Sequence, residues 1–527
     1  MALRNSRRCN PVFRGKMVKE IVIKKNSFFD SVMLMTISRE VKNIEGIKEA
    51  VVVMATDFNK ETLKNVDMIN DEVLEATPND LVIAIKAENE QSIEVAKNKV
   101  EEMLTKRTQA QGSEYNPRSL EMALQMIPDL NVALISVPGI YAAEEAKKAL
   151  EAGLHVMLFS DNVSLEDEIK LKNIAREKGL LMMGPDCGTA IINGVPLAFA
   201  NKVKRGKIGI VGASGTGTQE VSSIITRLGG GVSQVIGTGG RDLKAEVGGI
   251  MMTMGIEALI EDDETDCIVL ISKPPAKEVM ERVLEKIKNT DKKVIVHFIG
   301  ADLSFAEKYG LETASTLEET AFKAYEACYG KIAKLPDEEE VRIDIEKIKK
   351  SLSANQKYIR GLYSGGSLCD EAMVLMKKRF PRVYSNIALT EEEKLPSKDQ
   401  SIQHTVIDMG DDEFTRGKPH PMIDYTQRVE RILKEAESEE VAVILLDVVL
   451  GYGAHKDPSS ELVPAIQKAR EIALKKGNNI IFVISLCGTY EDPQDYRKQK
   501  EELERAGAIV TTTNKRAVEI AMAIVGD

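Results

Sequence analysis

From Asn131 onward, short apolar runs alternate with amphipathic helical stretches, and this alternation restricts the fold more than any other feature of the chain. Val132–Ser136, a helix over 141–152, His155–Phe159, a helix over 164–178 and Leu180–Met183 follow one another at close range. Strands separated by single helices lie parallel and are joined by right-handed crossovers. A second block repeats the plan from Gly206 to about Leu335, with strands at 208–211, 232–236, 267–271 and 293–298. A third covers 356–527, with strands at Tyr358–Tyr363, Thr405–Met409, Val441–Asp447 and Asn479–Leu486. The last two blocks close alike, on Gly310-Leu-Glu-Thr-Ala-Ser-Thr316 and Gly507-Ala-Ile-Val-Thr-Thr-Thr513. They read as a diverged internal duplication of a flavodoxin-like unit, with fortuitous similarity of two βα folds as the alternative.

The remaining boundaries follow from composition. Residues 1–16 form a basic tail, 17–105 a small α/β domain of open-sheet type, and 106–118 a polar linker. Residues 119–205 read as a truncated Rossmann domain, 206–335 and 356–527 as the two flavodoxin-like domains, and 336–355 as a charged connector. The expected fold class is α/β: several open parallel-sheet domains behind a small N-terminal α/β domain. A net charge of −11, with no basic run carrying interleaved aromatics, argues against nucleic acid. The longest apolar run, Val441–Leu450, is broken by Asp447 and is too short to span a bilayer. Without a secretory h-region at the start, the expected location is cytoplasmic. The six cysteines include no Cys-x-x-Cys, so neither a zinc site nor a disulfide framework is signalled.

Chemistry is concentrated at two glycine-rich turns. Ile208–Val211 feeds the loop Gly212-Ala-Ser214-Gly215-Thr216-Gly217-Thr218, and a helix is expected from Glu220 to Leu228. Ser364-Gly365-Gly366-Ser367 holds the same place in the last block. A strand, a glycine loop and a helix N-terminus together present free N–H groups and a positive dipole end to an anion. The first turn is neither a P-loop nor a Gly-x-Gly-x-x-Gly dinucleotide turn, and an ordinary βα connection would account for it too.

Four segments resemble succinyl-CoA synthetase. They are Ser136-Val-Pro138-Gly139, Met183-Gly-Pro185-Asp186-Cys-Gly188, Gly209-Ile-Val-Gly-Ala-Ser-Gly-Thr216 and Ile236-Gly-Thr-Gly239-Gly240. The last block is similar to the C-terminal domain of that enzyme's β-subunit, at Val406-Ile-Asp-Met-Gly410 and Leu446-Asp-Val-Val-Leu-Gly-Tyr-Gly453. Within that superfamily the chain resembles the FdrA family, through Asn26-Ser-Phe-Phe-Asp-Ser31, Gly410-Asp-Asp-Glu-Phe-Thr415, Lys418-Pro-His-Pro-Met-Ile-Asp424 and Gly488-Thr-Tyr-Glu-Asp-Pro-Gln494. The resemblance implies an acyl-CoA synthetase, or a component of oxamate carbamoyltransferase in allantoin degradation. The latter interconverts oxalurate plus phosphate with oxamate plus carbamoyl phosphate. It also implies cofactor or phosphate contacts at Pro138, Gly139, Pro185, Asp186, Gly239 and Gly240.

The departures from succinyl-CoA synthetase are specific. Its phosphohistidine loop, Gly-His-Ala-Gly, has no counterpart after Val296-His297-Phe298, and His297 falls within the strand. The opening strand of the first domain and an ATP-grasp domain before the last block have no counterpart either. CoA and ATP therefore have no firm place, and stand-alone ATP-dependent activity is not expected. What remains is a scaffold for an acyl or carbamoyl phosphate. Ser214 to Thr218 and Gly365-Gly366 would hold the phosphate, and Arg241 would pair with a substrate carboxylate. A surface ion pair accounts for Arg241 equally well. Asp408, His420 and His455 stand at or after strand ends and are the acid–base candidates. Asp411 and Asp412 would hold Mg²⁺, or simply cap the next helix. The expected partners are a phosphate or acyl phosphate, a carboxylate substrate, protein partner subunits and further copies of the chain. An NDP-forming acyl-CoA synthetase and a non-catalytic binding subunit stay open as alternatives.

Overall fold

A computed structural model describes residues 17–25, 27, 29, 31–110, 117, 119–330, 335, 343–388, 390–416 and 418–526. The expected tail at 1–16, most of the 106–118 linker and residues 336–342 of the 336–355 connector lie outside the described side chains. The chain divides into two compact units, one up to Pro117 together with 416–419, and one over the rest.

The first unit is a three-stranded sheet in which Leu81–Ala87 lies between Val18–Lys24 and Ile47–Met54, antiparallel to both. Alternation along the central strand sets its two faces. Leu81, Ile83 and Ile85 pack with Leu34 and Ile37 of helix Ser31–Lys42 and Ile93 and Val100 of helix Glu90–Ala110. Val82 and Ala84 pack with Leu63, Met68 and Val73. The sheet is therefore antiparallel, although strands alternate with helices along the sequence. Its last helix also continues to Ala110, past the boundary expected at 105.

The second unit holds three sheets. Val132–Ile135, His155–Leu158 and Met182–Met183 form a short parallel sheet. Next comes a seven-stranded sheet ordered Glu312–Thr313, Lys293–Phe298, Cys267–Ser272, Arg205–Ala213, Val232–Gly237, Thr189–Ile192 and Val195–Ala198. Its last two strands form an antiparallel hairpin turning at Asn193-Gly194, both with positive φ. The first flavodoxin-like domain thus takes in residues on the N-terminal side of Gly206. The third sheet is parallel, ordered Thr405–Asp408, Tyr358–Tyr363, Val441–Val449, Ile481–Cys487 and Ile509–Thr511.

Both large sheets share one winding: numbering each from its glycine-loop strand gives the order 2-1-3-4-5. They pack through one apolar core. Val221, Ile224 and Ile225 of helix Gly215–Arg227 and Leu317 and Ala321 of helix Leu317–Tyr329 meet Leu368, Met373 and Met376 of helix Gly366–Lys377. Val518 and Ala521 of helix Asn514–Val525 complete it. The two blocks also cap one another reciprocally. Glu220 Oε1 accepts from the Asn514 N–H at 2.9 Å, and Glu371 Oε1 accepts from the Leu317 N–H at 2.7 Å. Each glutamate stands at the same position of its glycine-loop helix, and each N–H opens the closing helix of the other block. This symmetry supports the duplication.

Candidate functional site

The two glycine turns, about 150 residues apart in sequence, face each other at the C-terminal strand edges. Helix Gly215–Arg227 begins five residues earlier than its apolar pattern announces, so Gly215, Thr216 and Gly217 are its first turn. Neither this helix nor Gly366–Lys377 has a side-chain cap. Ser214 occupies the cap position of the first, yet its hydroxyl donates to Ser367 Oγ of the second at 2.7 Å. The N–H groups of 215–217 and 366–368 are left without an intrahelical acceptor. Thr218 N–H is engaged by Ser214 O at 3.1 Å and Gly365 N–H by Asp447 Oδ2 at 2.8 Å, so each cradle is shifted by one residue from the expected loop. Glycine allows the close approach. A Cβ on Gly365 would stand 2.8 Å from Thr216 Oγ1, and one on Gly217 would collide with Ser214 Oγ.

Lys273, directly after strand Cys267–Ser272, supplies the cation. Its Nζ pairs with Asp370 Oδ2 at 3.0 Å. A Cβ on Gly366 would fall 2.6 Å from Asp408 Oδ2 and 3.6 Å from Lys273 Nζ, which places both groups at that helix end. Lys273 is closely surrounded by protein yet keeps 40% of its side-chain surface exposed. Burial works against its charge, but Asp370 and Asp408 hold its pKa above the ordinary value. Burial pushes the Asp408 carboxyl up to about 7, with Lys273 opposing the rise and Asp370 adding to it. Asp186 is likewise pushed to about 7 by its surroundings and by Asp161 and Asp412, while Lys273 and Arg241 oppose the shift.

The expected acid–base residues separate. A Cβ on Gly410 would lie 2.8 Å from His420 Nε2 and 3.2 Å from Asp408 Oδ1, so these two side chains share one corner of the cleft. Burial and Arg428 hold the His420 pKa at about 4, and its Nδ1 accepts from Met422 N–H at 3.2 Å. The ring is therefore neutral with its proton on Nε2, a hydrogen-bond donor rather than a base. His455 is engaged elsewhere: its Nδ1 accepts from Asp457 N–H and its Nε2 stands 3.8 Å from Glu461. Arg241 is drawn toward buried Glu168 at 2.9 Å and the Val163 carbonyl at 2.9 Å, so it anchors the Rossmann domain and contributes its charge to the cleft at longer range.

The other assignments resolve as packing. Gly139 abuts the Asp161–Asn162 backbone, which leaves no room for a side chain there. Gly239, at φ +82°, packs onto Gly184-Pro185, and Gly240 approaches Asp186 Oδ2. Asp411 Oδ1 caps Glu413 N–H at 3.0 Å, and among the described residues no three acidic, histidine or cysteine side chains gather to hold Mg²⁺. Lys273 and Asp370 were missed in the sequence. The rule that ligands bind beyond strand C-termini points to the first, because Lys273 follows the apolar run 267–271.

One expectation follows for pH. Lys273 stays cationic while Asp186 and Asp408 lose protons near pH 7. Sulfate, whose charge is constant in this range, should bind about tenfold more weakly at pH 8 than at pH 6, since ~1.4 kcal/mol of like-charge repulsion suffices. Calorimetric titration checks this, and the slope should flatten in Asp408→Asn.

Residues 362–524 match the CoA-ligase family, 203–300 the CoA binding domain, and 17–119 a domain described as AllF, heavy metal-associated. No cysteine or histidine lies between 17 and 119, so that domain offers neither thiolate nor imidazole to a metal. The chain is 45% identical to the uncharacterized protein YahF of Escherichia coli, over 94% of this chain and 97% of YahF. It is 32% identical to the mitochondrial succinate–CoA ligase [ADP-forming] subunit alpha-2 of Trichomonas vaginalis, over 40% of this chain and 70% of that one. Against subunit alpha 2 of the Archaeoglobus fulgidus enzyme the figures are 30%, 40% and 75%.

Proposed function

Because this chain belongs to the succinyl-CoA synthetase-like superfamily, in its FdrA-like branch with YahF, we propose that it is an enzyme of acyl-CoA ligase type that handles an acyl phosphate between helices Gly215–Arg227 and Gly366–Lys377. The observation that carries this reading is the pair of uncapped helix ends facing each other with Lys273 beside them. Phosphate oxygens would accept from the N–H groups of 215–217 and 366–368, and Lys273 would neutralise the remaining charge. The adjoining acyl carbon would lie toward Asp408 and His420. His420 Nε2–H would steady the carbonyl oxygen, and Asp408, poised near neutrality, would exchange a proton with the acceptor.

Within this class we favour carbamoyl phosphate and oxamate. Asp186 and Asp408 can accept hydrogen bonds from the NH₂ groups of carbamoyl phosphate and oxamate, donors that a succinyl group lacks. His297 also favours it: the ring is buried in its strand, with Nδ1 2.9 Å from the Ala314 carbonyl. Labelled ATP should leave no acid-labile phosphohistidine, and a stoichiometric signal would return the reading to the nucleotide-driven ligase. The competing CoA-dependent reading rests on the CoA-ligase and CoA binding similarities. The full chain, alone and with the products of neighbouring genes, should be assayed with carbamoyl phosphate plus oxamate and with succinyl phosphate plus CoA. Turnover in the first mixture is expected. Turnover only in the second would replace the substrate, and turnover in neither would overturn the enzymatic reading.

A further inference from the structure

We propose that Cys267 and Cys328 are a modification site, a thiol pair that closes to a reversible disulfide under hydroperoxide. Cys267 opens strand Cys267–Ser272 and belongs to the core shared by the two blocks; Cys328, next to last in helix Leu317–Tyr329, packs against that core and is half-buried. The topology brings them together: the helix starts at the C-terminal edge of the sheet and runs back to the edge where Cys267 begins. Cys267 pairs with Ile208 of the neighbouring strand Arg205–Ala213, and Cys328 Sγ is 4.0 Å from the Lys207 carbonyl, so the two thiols are neighbours at the start of that strand. The other described cysteines, 187, 369 and 487, are buried, and burial raises the pKa of each.

The chemistry divides between the pair. The hydrogen bond from Cys267 and the charge of Lys207 hold the Cys328 pKa below the usual thiol value, whereas Cys267 is held well above it. Cys328 is thus the accessible attacking thiolate and Cys267 the resolving thiol. The Cys328 thiolate attacks one peroxide oxygen, the O–O bond breaks, and hydroxide leaves behind a sulfenic acid. Cys267 sulfur then attacks Cys328 sulfur, the S–O bond breaks, and the departing hydroxide takes the Cys267 proton. Two thiols and one hydrogen peroxide give one disulfide and two waters.

The crosslink would pin the helix end to the strand start, at the sheet edge opposite Lys273. Oxidation should therefore raise thermal stability without changing phosphate affinity. The full chain is treated with hydrogen peroxide, digested without reductant and mapped by mass spectrometry, and its melting midpoint is read before and after dithiothreitol. A peptide linking Cys267 to Cys328, with a midpoint raised by several degrees and restored by reductant, is expected. Cys328→Ser and Cys267→Ser should each lose both the linked peptide and the shift. Oxidation of Cys328 alone to sulfinic acid, or no linked peptide in the wild type, would overturn the proposal.

Discussion

Lys273→Met should weaken phosphate binding about 10- to 100-fold, because a hydrogen bond to a charged group contributes ~1.5–3 kcal/mol. The fold should survive, since the side chain stands on an open cleft wall and Met retains most of its packing. Asp370 and Asp408 lose their cation, but burial already raises the pKa of both. They can take up protons instead of remaining as unpaired charges, which limits the cost of the substitution. Lys273→Arg should recover part of the affinity. Titration calorimetry with inorganic phosphate, alongside circular dichroism, separates lost binding from lost folding. Unchanged affinity in a folded Lys273→Met protein would remove the cation from the site.

The largest expected effect on stability lies where the Rossmann domain meets the first flavodoxin-like domain. Lys172 has no exposed side-chain surface and reaches Glu168 Oε1 at 2.8 Å, Asp242 Oδ1 at 2.7 Å and the Thr238 carbonyl at 2.9 Å. Asp242 in turn accepts from the Met251 and Met252 N–H groups, and so holds the start of helix Ile250–Glu261. Lys172→Met would take from buried Asp242 its ion pair with Lys172, while Glu168 would keep only Arg241. Removing one partner of such a cluster costs about 3–5 kcal/mol. The urea midpoint should fall by the corresponding amount. Adding Asp242→Asn should recover part of the loss by removing the stranded charge, with the Glu168–Arg241 pair left in place. A loss below about 1 kcal/mol would show that water reaches the cluster.

The sequence carries local order well and convergence poorly. The strands at 293–298 and 358–363 fall where their apolar runs end, because a strand buried on both faces is a continuous hydrophobic stretch. The helix after Ser214 is legible only from Glu220, since glycine and threonine are weak helix formers and disguise its first turn as loop. The hairpin at Asn193-Gly194 carries an Asn-Gly turn between apolar runs, a local signal for the two antiparallel strands. Lys273 and Asp370 look like ordinary surface charges in sequence. They become a site only when the two blocks pack through the core around Val221 and Met373. The pairing of His420 with Asp408, and the separation of His455 from both, likewise depends on loop paths that no local pattern encodes. The small N-terminal domain is legible as an open α/β sheet, but its strand order and antiparallel pairing are not, because the pairing partners are far apart in sequence.

The measurement closest to the central claim is a crystal structure of the full chain grown with inorganic phosphate, paired with the same crystals of Lys273→Met. One phosphate is expected between the N–H groups of 215–217 and 366–368, within hydrogen-bond distance of Lys273 Nζ, and it should be lost in the variant. An empty cleft at millimolar phosphate, or a phosphate held elsewhere and unaffected by Lys273→Met, would contradict that claim.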